Sequence, residues 1–252
     1  MMTRRGFLES GLTSILGLAF LDAAVSADAM APAINPILQR WLRGLHTHAA
    51  DLRGAAIPAT AWQDEVRALL ERVPLQELVS YVDLDRLLRE TALPDDRPAT
   101  RDPVFPALEG VAPVGAYIRR VFMLKQGRAI VPHGHHNMVS GHLVIRGRFQ
   151  VRHYQRLADE SAHMIVRPTL DQESRPGMAT TVSDQRDNVH WLTALSEVAC
   201  TFDVIVLDLD PAQPTRFSDF IDPRRAEPLG EGRLRAPRLG FDEVLRRYGR
   251  GA

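Results

Sequence analysis

The sequence predicts a mainly β protein: a barrel or jelly roll, with a helical extension before it and a short helix after it. From residue 117 onward, apolar and polar residues alternate with a period of two, as in strands with one buried face. Several such segments follow at short intervals, separated by glycine, aspartate and proline, which is typical of all-β barrels. Before residue 93 the apolar residues recur at helical spacing instead. We therefore expect a signal segment (1–29), a helical extension with a linker (30–112), a barrel (113–215) and a tail with a short helix (216–252).

The first residues resemble a twin-arginine export signal. Arg4 and Arg5 precede Phe-Leu, a mildly apolar stretch (Gly11–Leu21) and small residues that would permit cleavage at Ala27 or Ala29. The apolar stretch is too short for a transmembrane helix, and an ordinary N-terminal helix is the alternative interpretation. We expect the twin-arginine translocase to export this protein to the periplasm or out of the cell, with no stable membrane insertion after cleavage.

The extension is predicted to be helical because Trp62, Val66 and Leu70 are spaced to share one helix face. Pro74 then starts a new segment. Two short helices and a linker rich in proline, aspartate and arginine should follow, at 75–82, 83–91 and 93–113.

The barrel strands are predicted where short alternating runs lie between turn residues. Pro211 and Pro214 are expected to end the last strand, and a helix is expected at Phe241–Tyr248. The predicted strands are 117–124, Ala129–His135, Gly141–Ile145, Phe149–Tyr154, Ala179–Val182, His190–Ala194 and Thr201–Leu209.

Composition narrows the function classes. The chain has 31 basic and 31 acidic residues, and this balance predicts no nucleic-acid partner. Cys200 is the single cysteine, so an intramolecular disulfide is impossible. Because it lies in an apolar run, we expect a buried structural thiol rather than a nucleophile.

A histidine motif predicts a metal site. In a strand, alternate side chains share a face, so His133 and His135 should both point into the barrel. A strand–turn–strand context surrounds them, and His190, in Asn-Val-His, lies on a distant strand. Three imidazoles of this kind would form a facial set that leaves open positions on a divalent transition metal. The alternative is a cluster of surface-loop histidines.

These motifs resemble the cupin superfamily, and within it the thiol dioxygenases of the cysteamine and plant cysteine oxidase type. The usual cupin glutamate position falls on Ser140, and the thiol oxidases lack that glutamate too. Their Pro-x-His-x-His-x-x-Met motif matches Pro132 to Met138, and their Asn-hydrophobic-His motif matches Asn188 to His190. The likeness covers roughly residues 115–210. His142, in place of an aliphatic residue, and Leu209, near an expected tyrosine, depart from the family pattern.

The resemblance implies a double-stranded β-helix that binds Fe(II), with Mn, Ni or Zn as other metals, through His133, His135 and His190. It implies a reaction with O2 that oxidises a small thiol, or another small anionic molecule, bound as substrate. Asp203 would orient a metal-bound histidine. His142 could be a fourth ligand, a proton shuttle or a hydrogen-bonded barrel histidine. Two other functions stay open: a cupin that binds a metal or ligand without catalysis, and a three-histidine cupin acting on a diketone-like carbon acid.

Overall fold

The computed structural model describes residues 35–105 and 117–250. The predicted signal segment, with Arg4 and Arg5, lies outside the described residues. No helix within the described ranges has the length and apolarity needed to cross a membrane.

The described strands form two antiparallel sheets. The first sheet has the strand order β1-β2-β9-β4-β7, and the second has the order β10-β3-β8-β5-β6-β12-β11. In chain order the strands are β1 (Ala99–Arg101), β2 (Ile118–Lys125), β3 (Ala129–His136), β4 (Met138–Arg146), β5 (Phe149–Asp159), β6 (His163–Ser174), β7 (Ala179–Ser183), β8 (Val189–Ala194), β9 (Val198–Leu207), β10 (Arg216–Phe220), β11 (Glu227–Gly230) and β12 (Arg233–Pro237).

The pairing of β2 to β9 is that of a jelly roll. β5 pairs with β6, β4 with β7, β3 with β8 and β2 with β9, so the pairs are nested like one long hairpin. The hairpin is rolled up, because β9 also pairs with β4 and β8 also pairs with β5. Two four-stranded halves result, as in double-sheet jelly rolls. The predicted mainly β fold class is confirmed.

Helices cover the outer face of the first sheet. Trp62, Val66 and Leu70, predicted to share a helix face, are fully buried against that sheet. Leu70 lies so close to Gly141 of β4 that a Cβ there would be 3.0 Å from Leu70 Cδ1. These helices are α1 (Pro36–Arg53), α2 (Ala59–Glu71), α3 (Leu75–Tyr81) and α4 (Leu84–Glu90). A last helix, α5 (Phe241–Val244), continues as a π-helical segment, Leu245–Gly249, and packs against β3 and β8 of the second sheet.

The predicted tail differs from the structure. We predicted a tail after residue 215 with a short helix as its only element, and the structure adds β10, β11 and β12, which extend the second sheet. The strand β6 was also missed, because residues on both of its faces are exposed over part of its length and its sequence does not alternate. The C-terminal helix begins at Phe241 as predicted.

The barrel interior has two chemically different halves. One half is filled by apolar side chains, and we call it the apolar half; its buried members are Leu124, Ile130, Val144, Phe149, Val151, Leu192, Ala194 and Ala199. The other half holds five ring side chains, and we call it the imidazole half; its members are His133, His135, His142, His153 and His190. Strands β3, β4, β5 and β8 supply residues to both halves, whereas β2 and β9 supply the apolar half only.

Candidate metal centre

A β-bulge in β3 turns His133 and His135 into the barrel. Ile130, in the apolar half, pairs with Leu192 of β8, and His133 pairs with His190. From the first pair to the second, β3 advances by three residues whereas β8 advances by two, so the register shifts between these pairs. Alternation from Ile130 alone would point His133 outward; the extra residue reverses this. Pro132, which has no N–H to donate to the sheet, lies in this bulge, a position that proline tolerates.

The three predicted ligand histidines meet at one place. One candidate ligand atom from each of His133, His135 and His190 lies within 4.8 Å of the others. The ring centroid of His133 is 4.8 Å from that of His135 and 4.3 Å from that of His190. His135 and His190 are buried, and His133 is partly exposed. These residues form a candidate metal site.

The two sequence motifs are joined by one side chain. Asn188 donates hydrogen bonds from Nδ2 to the backbone oxygens of His135 and Ser183, at 3.0 and 3.3 Å. Its amide crosses so close to Gly134 that a Cβ there would lie 2.5 Å from Asn188 Oδ1. Gly134, between the two histidines, is therefore required because the Asn188 side chain leaves no room for a Cβ atom.

The ring nitrogens suit metal binding. Nδ1 of His133 lies 2.7 Å from the backbone oxygen of Val131, which would accept its proton and leave Nε2 free for a metal. Nδ1 of His135 and of His190 has no hydrogen-bond partner within the described chain. Buried polar atoms normally have hydrogen-bond partners, so the absence of a protein partner for these two nitrogens is consistent with a site for a bound metal ion.

Burial keeps the imidazoles in the neutral form that binds metals. Desolvation lowers the pKa of His133 to about 4. The pKa values of His135 and His190 lie well below the usual value, because of desolvation and then of the neighbouring histidines. These rings are therefore unprotonated at neutral pH, and no proton has to be displaced before a cation binds.

His142 lies beside the three histidines without joining their cluster. Its ring centroid is 4.9 Å from that of His190, and its Nε2 is 3.0 Å from Oγ of Ser140. Desolvation, followed by the nearby His153 and His133, lowers its pKa to about 3. The side chain therefore occupies the inward space near Ser140, where the cupin pattern has a carboxylate.

Asp203 lies opposite His142 on the paired strand β9. Its Oδ2 is 3.7 Å from Nε2 of His142, which is too long for a direct hydrogen bond. Desolvation raises the pKa of Asp203 to about 8, against the opposing effects of Thr201 and then of Arg120, so the carboxyl is mainly protonated at neutral pH. We expected Asp203 to orient a metal-bound histidine, whereas the structure places it next to His142.

His153 is a residue of the site that the sequence analysis missed. It pairs with His190 across β5 and β8, its ring centroid is 6.3 Å from that of His190, and it is 2% exposed. Desolvation lowers its pKa to about 4. The signal was available: Phe149, Val151 and His153 alternate along one strand, so an inward Phe149 implies an inward His153.

The charges around the site balance. Arg120 is buried and makes two 2.6 Å hydrogen bonds to Asp102. With that pair neutral, Asp203 protonated and the imidazoles uncharged, a bound divalent cation would keep its full charge. Such a centre favours an anionic further ligand.

His136, His48 and the single cysteine lie away from the candidate metal site. The side chain of His136 is 44% exposed and its Nδ1 is 3.4 Å from Asp184, so it points away from the centre. His48 contacts Glu65 outside the barrel. Cys200 is buried among apolar residues, and desolvation raises its pKa to about 12, as a structural thiol requires.

No protein-family model matches the chain, and a search of curated proteins finds no match. Among solved structures, it is similar to a cupin superfamily protein from Desulfitobacterium hafniense, with 8% identity over 47% of this chain and 84% of that one and a TM-score of 0.31. It is also similar to KdgF from Halomonas sp., with 16% identity over 50% and 94% of the two chains and a TM-score of 0.33.

A third similar structure is the 11S globulin from Wrightia tinctoria, described with an auxin binding site. The identity is 19% over 37% of this chain, the TM-score is 0.30, and the match spans 21% of the globulin. The fold assignment rests on the strand pairing of the chain itself, which together with the three imidazoles defines a jelly-roll protein with a candidate metal site.

Proposed function

We propose that this chain is an exported, metal-dependent oxygenase of the cupin type that acts on a small thiol or another small anionic molecule. The observation that carries the proposal is the meeting of His133, His135 and His190, as neutral bases, inside a jelly roll. Three ligands on one side leave coordination positions open, as in non-haem iron oxygenases.

The proposed cofactor is one Fe(II) ion held by these three histidines. When bound, the ion supplies the redox chemistry by which an oxygenase uses O2. Because the surrounding protein groups are neutral, the centre would prefer a substrate that ionises, such as a thiol or an enol.

The chain's own residues would then hold the substrate and its proton. Nε2 of His142 lies 3.0 Å from the Ser140 hydroxyl, so a proton could move between these two groups during the reaction. The apolar half fills the barrel below the site and excludes water from that side.

Export is part of the proposal. Arg4 and Arg5 lie in a twin-arginine pattern, and that route carries folded proteins. Affinity alone favours copper or zinc over iron, so a protein that needs iron gains from acquiring it in the cytoplasm before export. The two parts of the proposal support each other.

The test combines metal analysis with oxygen consumption. Protein purified from the periplasm of its own host should contain about one iron per chain and consume O2 with a thiol. His133→Ala, His135→Ala and His190→Ala should each lose most of the metal while staying folded. His136→Ala, the neighbour that points outward, is the matched control and should keep it.

Other results would assign other functions. Bound metal with no O2 consumption would indicate a binding protein, and O2 consumption with diketones alone would indicate a carbon-acid oxygenase. Full metal occupancy in any of the three alanine variants would show that the residue is not a ligand. Arg4→Lys together with Arg5→Lys should leave the protein in the cytoplasm, and unchanged export would contradict the twin-arginine assignment.

A further inference from the structure

His133 is the member of the imidazole half that solvent reaches. Within the described residues, the other four members are between 2% and 7% exposed, whereas His133 is partly exposed. On one side the site is closed by the packed side chains of the apolar half. A molecule that reaches the candidate metal site from solvent therefore passes His133.

Phe220, the last residue of β10, marks the side on which the site opens. In the second sheet His133 is paired with His190 of β8 on one side and with Phe220 on the other, and directly paired residues share a face. His190 is 2% exposed, whereas Phe220 is partly exposed on an edge strand. The ring centroids of His133 and Phe220 are 6.2 Å apart. Phe220 therefore borders the open side of the site.

The ring of Phe220 is held by contacts from the last part of the chain. Its backbone oxygen accepts a hydrogen bond from the N–H of Leu239 at 3.0 Å, and the next N–H, that of Ile221, donates to Pro132 in the bulge at 3.4 Å. The ring packs against Phe241 of α5, with centroids 5.7 Å apart. The ring is therefore in place before a ligand arrives, and binding does not have to order it.

We propose that small molecules reach the metal centre at the β10 edge, past His133, and that Phe220 contacts the part of the bound molecule that lies away from the metal. The inference deepens the proposed function and rests on it in requiring a metal at the three histidines. Phe220 offers neither a ligand atom nor an ionisable group, so its contribution is an apolar contact. It is assigned as a specificity-determining residue.

These surroundings define the class of ligand. The protein groups around the centre are neutral, so a bound cation favours an anionic ligand atom. A phenyl ring backed by a second phenyl ring favours an apolar or aromatic group beside it, because aromatic pairs attract one another beyond the area that they bury. The ligand is thus a small anion, such as a thiolate, whose ionised atom carries an apolar or aromatic substituent.

The first test blocks the β10 edge and measures access to the metal. Cys200, the single cysteine, is buried, so a maleimide modifies a cysteine introduced at an exposed place instead. In Co(II)-loaded protein, the visible spectrum reports binding of added imidazole to the cobalt. Phe220→Cys carrying a bulky maleimide should bind imidazole about tenfold more slowly than the wild type, or slower still.

The matched control carries the same label elsewhere on the second sheet. Thr169→Cys places it at an exposed position of β6, which β3, β8 and β5 separate from β10 in the strand order. This labelled protein should bind imidazole at the wild-type rate. Equal rates in the two labelled proteins would overturn the entrance at the β10 edge.

The second test measures the contact with Phe220. Thiolates bound to Co(II) give an absorption band, and titration of that band gives their Kd values. Phe220→Ala should raise the Kd of benzyl mercaptan about 3–10-fold, the effect of a lost aromatic contact, and leave that of 2-mercaptoethanol unchanged. Phe220→Tyr, which keeps an aromatic ring, should retain the wild-type Kd for benzyl mercaptan.

Phe122→Ala is the matched control for this test. Phe122 is also partly buried, but it packs against the apolar half, so its truncation should change neither Kd. An equal change for both thiolates in Phe220→Ala, or no change for either, would overturn the role of Phe220. Failure of the wild-type protein to bind cobalt would instead contradict the proposed function itself.

Discussion

The two halves of the barrel interior share four strands, β3, β4, β5 and β8, and on β5 and β8 one half gives way to the other within two residues. On β8, Leu192 lies in the apolar half and His190 in the imidazole half; on β5, Val151 is followed in the same way by His153. In the apolar half the side chains satisfy one another by packing. In the imidazole half several ring nitrogens have no partner among the described residues.

This difference separates stability from function within one barrel. Packed apolar side chains stabilise the fold, whereas buried polar atoms without partners destabilise it. The imidazole half is therefore a region where the structure gives up stability for a binding site, as functional sites often do.

The largest expected effect is acid unfolding of the metal-free protein. In the folded state the pKa values of His133, His142 and His153 are lowered to about 4, 3 and 4, from 6.5 in the unfolded chain. The unfolded chain therefore binds more protons below pH 6.5, and stability falls as pH decreases, by about 1.4 kcal/mol per pH unit for each group.

Asp203 has the opposite effect on the pH dependence of stability, because its pKa is raised to about 8 and its protonation therefore favours the folded state. It is a single group, however, whereas several histidines destabilise the folded state at low pH. Denaturant unfolding of metal-free protein at a series of pH values measures the balance. Stability that stays constant from pH 6.5 to 4 would contradict the burial of neutral imidazoles.

Phe149→Ala should have the next largest effect. The side chain is fully buried in the apolar half, so truncation leaves a cavity and should cost about 3–5 kcal/mol of unfolding free energy. Metal content per folded chain should not change. Metal loss in this variant at a temperature where it is folded would show that the two halves are not independent.

His142→Leu tests the part of the imidazole half that the three-histidine cluster leaves out. We expect nearly full metal content and a loss of activity of about 10–100-fold, as for lost acid–base or outer-sphere help. His190→Ala, measured beside it, should lose the metal. If the two variants lose metal equally, His142 is a fourth ligand.

His190→Leu gives the smallest expected change and the most direct contrast. Removal of a buried ring with an orphaned Nδ1 should stabilise the metal-free protein by about 1 kcal/mol, while abolishing metal binding. Thermal unfolding of metal-free wild type and variant checks this. A clear loss of stability would mean that the imidazole is well satisfied in the fold.

The sequence was sufficient for the fold class and for the three clustered histidines, because period-two alternation and the two histidine motifs are local signals. It was insufficient for β10 to β12, whose short segments contain proline, glycine and many arginines and acquire strand structure only by pairing with β3 and β6. His153 was missed although its alternation with Val151 was visible. The bulge could not be predicted from the sequence, because it arises only when β3 pairs with β8.

That bulge makes the centre depend on how the strand pairs as well as on its composition. Between Ile130 and His133 there is one residue more than regular pairing with β8 would use. If β3 ran through these residues as a regular strand without the bulge, every histidine and every motif letter would remain, yet His133 and His135 would face the outside of the barrel. A relative with an intact histidine pattern that pairs this strand without the bulge would have the sequence motif of a metal protein without its centre.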